Sequence, residues 1–219
     1  MKVRILYLFV AIITSLSTMT SCDDHEKADN KIHIGYVLCE DHSCMDTATY
    51  KNQSRSKAIG VVFAEETDDH PALAVMFQEV NEIFCDSIGM ENGTSKDITA
   101  YDGSSNTVAM YNSWVEEAKK GSPLAMKMID FHSNGQSDYV PSVAEQRLLV
   151  ASARTINPII KKFGGTPIST ENDCWYWTST EVDGNAGYQA WLCSAVNGGI
   201  MPTPKSESHK ARAIIDINY

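Results

Sequence analysis

Ser142-Val143-Ala144-Glu145 opens the stretch that decides the fold. A serine followed three residues later by glutamate is a capping box: the Ser142 hydroxyl accepts from the Glu145 amide, and the Glu145 carboxylate reaches back to the Ser142 amide. The pattern predicts a helix over residues 143–153, which Asn157-Pro158 restarts or kinks. Ile156, Ile159, Ile160 and Phe163 give it an apolar face, and Gly164-Gly165 ends it. Upstream, Tyr111, Trp114, Val115 and Ala118 recur at helical spacing, with Gly121 at the stop position. Ser122-Pro123 then offers a cap and a first-turn proline for a short helix carrying Leu124, Met128 and Ile129.

On either side of this helical middle the pattern is β. Residues 32–38, 58–64 and 72–77 are short runs rich in Val and Ile, bounded by polar turns, and residues 175–180, 188–196 and 211–217 repeat that character. Residues 91–105 carry Gly, Asn, Ser, Thr and Asp without a period and read as a long connection. The order strands, helices, strands predicts one α+β domain over 31–219, with a β-rich N-terminal part at 31–90. A twisted antiparallel sheet covered by two main helices would bury Trp114, Leu148, Ile159 and Phe163 and leave long loops free.

The first residues have the three-part pattern of a secretory signal: basic Lys2 and Arg4, an apolar run over 5–13, and small hydroxylated residues to Ser21. Nine apolar residues make only about 14 Å of helix, half of a ~30 Å hydrocarbon layer, so this is no permanent span. Met19-Thr20-Ser21-Cys22 is similar to a bacterial lipobox, which makes residues 1–21 a lipoprotein signal peptide and Cys22 a lipid anchor. Residues 22–30 are an acidic tether, similar to surface-export signals of outer-membrane lipoproteins. The expected location is the outer membrane, at the cell surface, with membrane contact through the lipid only.

The 219 residues, 43% apolar and 21% charged, suit one globular domain and exclude disorder and collagen. Net charge is −10, and removal of Lys2 and Arg4 leaves 16 basic against 28 acidic residues, or −12. Such a surface repels polyanions, so nucleic acid is excluded as a partner. The six histidines are scattered, with no His-Glu-x-x-His, Gly-x-Ser-x-Gly or phosphate-loop spacing, and the chain reads as no enzyme, with no cofactor and no metal.

Five cysteines remain after Cys22 in an oxidising compartment. If Asp41-His42 is a two-residue hairpin loop, Cys39 directly faces Cys44, the distance a disulfide needs. Folding 174–193 about the turn at 182–187 likewise brings Cys174 near Cys193. Cys85 is then the odd residue, a small buried hydrophobe. A zinc set of Cys39, His42 and Cys44 would need a fourth ligand and a reducing environment, and is the weaker reading.

A series of landmarks runs in order along the chain: Ala58-Ile59-Gly60-Val61-Val62-Phe63, Asp102-Gly103, Asn106-Thr107, Tyr139-Val140-Pro141-Ser142 with Glu145, and Gly164-Gly165-Thr166-Pro167. Tyr176-Trp177-Thr178-Ser179-Thr180-Glu181, Ala190-Trp191 and Ala211-Arg212-Ala213 complete it. Together they resemble the Lcl C-terminal domain family, over about residues 58–217. The resemblance implies a C-type-lectin-like fold and an exported, adhesin-like binding protein, and fixes no ligand. Asp138 stands where that family usually has tryptophan, and Ile215 replaces the second arginine of its last strand.

The expected function is recognition of an extracellular protein or glycan through loops. The alternative is a structural or accessory subunit of a cell-surface appendage or envelope complex. Trp175 and Trp177 share one strand face, and Trp177 and Trp191 read as core, which leaves Tyr176 and Tyr188 as exposed rings. The candidate binding face is Tyr176, Asp183, Asn185, Tyr188 and Asn197. A calcium site from Glu171, Asn172, Asp173, Glu181 and Asp183 is disfavoured, because the Glu-Pro-Asn, Gln-Pro-Asp and Trp-Asn-Asp triplets of sugar-binding C-type lectins are missing.

Overall fold

The computed structural model describes residues 31–53, 55–129 and 138–217. The expected signal peptide (1–21), the expected lipid anchor Cys22 and the expected tether (22–30) lie outside the described residues. From Ile32 onward the chain forms one unit.

In chain order the elements are β1 (Val37–Cys39), β2 (Cys44–Met45), α1 (Thr47–Gln53), β3 (Ala58–Ala64), β4 (Ala72–Met76) and β5 (Val80–Ile83). After these come α2 (Gly103–Asn112), α3 (Pro123–Ile129) and α4 (Val143–Lys162). The chain finishes with β6 (Trp175–Glu181), β7 (Gln189–Ser194), β8 (Ile200–Pro204), β9 (Ser208–Ala211) and β10 (Ile214–Ile217). The fold is mixed α+β, but the single sheet expected from the sequence is two five-stranded sheets, ordered β10-β4-β3-β1-β2 and β5-β9-β6-β7-β8. All pairings are antiparallel except a parallel contact of β6 with β9 at Tyr176 and Lys210.

The chain changes sheet at two neighbouring corners, residues 77–79 between β4 and β5 and residues 212–213 between β9 and β10. Arg212 is fully buried at this crossing. Its guanidinium donates to the carbonyls of Met76, Phe77 and Gln78 (3.4, 3.1 and 3.5 Å) and to Thr166 O, and pairs with Glu79 at 3.1 Å. A planar fork of fixed donors suits a corner where several carbonyls leave their ladders together.

The first sheet is covered on both faces, which is why its strands read as unbroken apolar runs rather than alternations. Leu73 and Val75 enter a core with Leu149, Ala153, Ile156 and Ile160 of α4. Ala72, Ala74 and Met76 enter a second core with Met110, Leu124, Met128 and Trp177. Each fully buried large side chain contributes roughly 1.5–3 kcal/mol.

The capping box forms as the sequence predicts, with Ser142 and Glu145 satisfying one another's amides. Helix α4 then runs unbroken through Pro158, because Ile156 and Ile160 on either side bury in the same core. The expected helix through Trp114 and Ala118 is instead α2, eight residues earlier, followed by a turn bridged between Val115 and Lys120. The buried face of α2 is Gly103, Asn106, Thr107 and Met110, too polar to register as a hydrophobic stripe, whereas Val108 and Tyr111 face solvent. Trp114 is only partly buried and donates to Glu116 at 3.0 Å, so it is no core residue.

Neither expected disulfide is present. The first hairpin pairs Leu38 with Cys44, one residue out of the assumed register. Cys39 instead ends β1 opposite Ala58 of β3, its amide donates to Ser43 O (3.0 Å), and His42 in the loop that follows adopts φ +66°. Cys193 stands opposite Tyr176, whereas the Cys174 carbonyl accepts from Ala195, so Cys174 and Cys193 are diagonal neighbours, too far apart to bridge in that arrangement. Burial pushes the Cys193 thiol up to about 11. Cys85 is buried, as expected.

Candidate functional site

The turn between β6 and β7 carries the sequence-predicted residues that the structure brings together. Val182 N donates to Gln189 O (3.1 Å), Asn185 N to Val182 O (3.0 Å), and Tyr188 N to Asn185 O (3.0 Å), while Gly184 supplies φ +70°. On the other side the Tyr188 carbonyl accepts from Lys205 N at 2.9 Å. The Tyr188 backbone is therefore fixed while its ring stands 57% exposed.

Facing this turn is the irregular segment after β5. Gly89 N donates to Gly187 O at 3.0 Å, and a Cβ on Gly187 would lie only 3.0 Å from Gly89 O. The two loops thus abut glycine to glycine: a side chain at Gly187 would press on the Gly89 backbone, and Gly89 itself holds φ +81°, which favours glycine. Their junction leaves two depressions that share Asn185, Gly187 and Tyr188. One, of about 490 Å³, runs between Ile88, Tyr188, Gln189, Pro204 and Ser206 over Lys205. The other, of about 320 Å³, lies between Glu91, Lys96 and Asp183.

A buried ion pair supports this floor. Glu181 is 0% and Lys205 3% exposed, and the Lys205 ammonium bonds to Glu181 Oε1, Met90 O (2.9 Å) and Asn92 Oδ1 (2.9 Å). Glu181 Oε1 also accepts from Asn92 N (2.7 Å), and Oε2 from Thr94 N and Oγ1 (both 3.0 Å). All three ammonium protons and both carboxylate oxygens are occupied, the condition under which a buried pair is tolerated. The pair ties residues 90–94, which have no strand of their own, to the β6 end and the β8–β9 turn.

Asp183, Asn185 and Tyr188 therefore meet in one place. Tyr176 and Asn197 do not join them. Tyr176, expected as an exposed ring, is 0% exposed: its hydroxyl donates to Glu79 (3.0 Å) and accepts from Ser169 N (2.9 Å), so it braces the Arg212 corner. The strand's two faces are both covered, so alternation does not separate inside from outside here. Asn197 lies beyond the far end of β7, ~20 Å along that strand, and accepts from Gly199 N. The acids of the calcium reading are likewise split between the ends of β6, with Glu181 taken by Lys205 and Asp173 2.8 Å from Lys210.

Sequence reading missed Ile88, Gln189 and Ser206 as wall residues. Ile88 is 85% exposed within Ser87-Ile88-Gly89, and a branched apolar residue beside a turn glycine is the one local signal that could have pointed there.

No protein-family model and no curated protein matches this chain. Among solved structures, a fimbrial protein from Bacteroides ovatus ATCC 8483 has a similar fold, with a TM-score of 0.65 at 13% sequence identity over 84% of this chain. The match covers 48% of that protein, so this chain corresponds to about half its length. At this identity the likeness is one of fold.

Proposed function

We propose that this chain is a structural or accessory subunit of a cell-surface appendage, held outside the cell and performing no catalysis. The observation that carries the reading is the fold likeness to the fimbrial protein, which extends over 84% of the chain. The N-terminal secretory pattern and the strongly acidic composition support it, since both suit an exported, soluble surface. In this reading the lipobox-like Cys22 tethers the chain to the outer membrane, with no cofactor. The resemblance to the Lcl C-terminal domain family, with its C-type-lectin-like fold, supports a second role in which the displayed domain is adhesin-like. The exposed Tyr188 cleft favours that addition, because a loop junction on a rigid two-sheet frame is where recognition sits in such scaffolds.

The test is fractionation of cells producing an epitope-tagged full chain. Surface protease should remove the tag from intact cells, and mechanical shearing should release the chain into a filament fraction that immunogold labelling decorates. Retention of the tag inside intact cells, or a sheared appendage fraction free of the chain, overturns the reading.

A further inference from the structure

The geometry points to the larger depression beside Tyr188 as a metal-independent binding site for one ring of a neutral saccharide. This rests on the adhesin-like reading of the same cleft and names its ligand class; it does not depend on the appendage role.

The first reason is the surface left in water. Tyr188 and Ile88 are large apolar side chains on opposite sides of one cleft, and neither is needed to close a core. An aromatic face on a fixed backbone suits the flat C–H face of a sugar, since it offers apolar area with little rotamer freedom to lose.

The second reason is charge. Among the described residues lining this cleft, Lys205 alone is charged, and its ammonium is saturated by Glu181, Asn92 and Met90. An anionic ligand finds no available cation there and meets a chain of net charge −10. The neighbouring depression differs: Glu91 pairs there with Lys96 at 3.7 Å, beside Asp183.

The third reason is the hydrogen-bonding pattern. Asn185 Nδ2 donates to Gln189 Oε1 at 2.7 Å, which orients both amides. That pairing turns the Asn185 carbonyl oxygen and the Gln189 amino group to other partners, an acceptor and a donor side by side. Vicinal hydroxyls, each able to donate and accept, match such a couplet, and Ser206 adds a rotatable hydroxyl on the same wall. The volume of about 490 Å³ lies in the range of small-molecule sites.

The experiment is saturation-transfer NMR and titration calorimetry on the full chain. The probes are the methyl glycosides of glucose, galactose, mannose and N-acetylglucosamine with their β-linked disaccharides, plus a sialylated trisaccharide as charged comparator. At least one neutral probe should bind with a dissociation constant in the millimolar range or below, unchanged by a chelator. Tyr188→Ala should weaken it about tenfold or more, Tyr188→Phe less than threefold, and Gln189→Ala at least threefold. Ile88→Asp, which leaves Tyr188 untouched and places a charge in the cleft, should abolish it. The proposal is overturned if no neutral probe binds a chain with native circular dichroism, if binding survives both Tyr188→Ala and Ile88→Asp, if the chelator removes it, or if the sialylated probe is preferred. None of these outcomes bears on whether the chain fractionates with an appendage, so the two readings fail separately.

Discussion

Replacing Lys205 with methionine removes one charge from the buried pair beneath the Tyr188 cleft and keeps most of the side-chain volume. Glu181 would remain fully buried, with Asn92 N, Thr94 N and the Thr94 hydroxyl still donating to it but no counter-charge. Met90 O and Asn92 Oδ1 would each lose a donor. Breaking a buried pair from one side costs about 3–5 kcal/mol, and the orphaned acceptors place this case toward the upper end. For a domain of this size such a loss lowers the melting temperature by about 10 °C or more. Urea denaturation followed by tryptophan fluorescence measures it, and hydrogen exchange localises it. The amides of Asn92 and Thr94 should lose protection by about 1,000-fold or more, since each 1.4 kcal/mol is tenfold. Adding Glu181→Gln removes the stranded charge, so the double variant should be less destabilised than the two single losses summed. A Lys205→Met loss below about 1 kcal/mol, or strict additivity in the cycle, would refute the argument that this pair holds segment 90–94 in place.

Gly103→Ala should destabilise by about 2 kcal/mol or more in the same denaturation assay, because an added Cβ would lie 2.2 Å from Glu145 Oε2, which the capping box holds, and 2.7 Å from the backbone oxygen of Val140. A change under 0.5 kcal/mol would mean that this packing relaxes freely. Stability should also fall as pH rises between about 4 and 7. Burial pushes the carboxyls of Asp138 and Glu145 each up to about 7, Glu145 being further raised by Asp216 and Asp102. A carboxyl with a raised folded-state pKa binds its proton more tightly when folded, so its stabilisation is complete below the unfolded value near 4 and lost through 7. The slope is at most about 1.4 kcal/mol per pH unit for each group. Melting temperatures recorded across that window should decline, Asp138→Asn should flatten the decline, and a rise with pH would contradict the assignment.

The strands and α4 were legible because each carries a strong local signal: Val- and Ile-rich runs at β3 and β4, and the Ser142–Glu145 box at α4. Helix α2 was not, because its interior contacts are polar. Thr107 Oγ1 donates to Gly103 O, and Asn106 Oδ1 accepts from Ser95 N. Helix α1 was overlooked although Asp46 caps it, its carboxylate accepting from the Ala48 and Thr49 amides, because no residue of α1 is buried. Strand β8 contains Pro202 and Pro204 and read as loop, yet an edge strand can spare the missing donors. For the candidate site, the turn residues Asp183, Asn185 and Tyr188 were visible as polar and aromatic groups between two strands. The opposing wall was not, because Ile88 lies nearly 100 positions away in sequence and meets the turn only through the glycine contact of the loops. Register defeated the cysteine readings: one residue of slip in the first hairpin, and a diagonal offset in the second.

The Arg212 crossing has a consequence for how the molecule is completed. Strand β4 waits for β10, about 140 positions later, and β5 waits for β9, about 125 positions later, so neither sheet is complete until residues 208–217 have arrived. A chain delivered N-terminus first, from a ribosome or through a narrow pore, therefore travels with both sheets open. The corner guanidinium, which needs residues 76–79 and 212 together, is therefore among the groups that lock late.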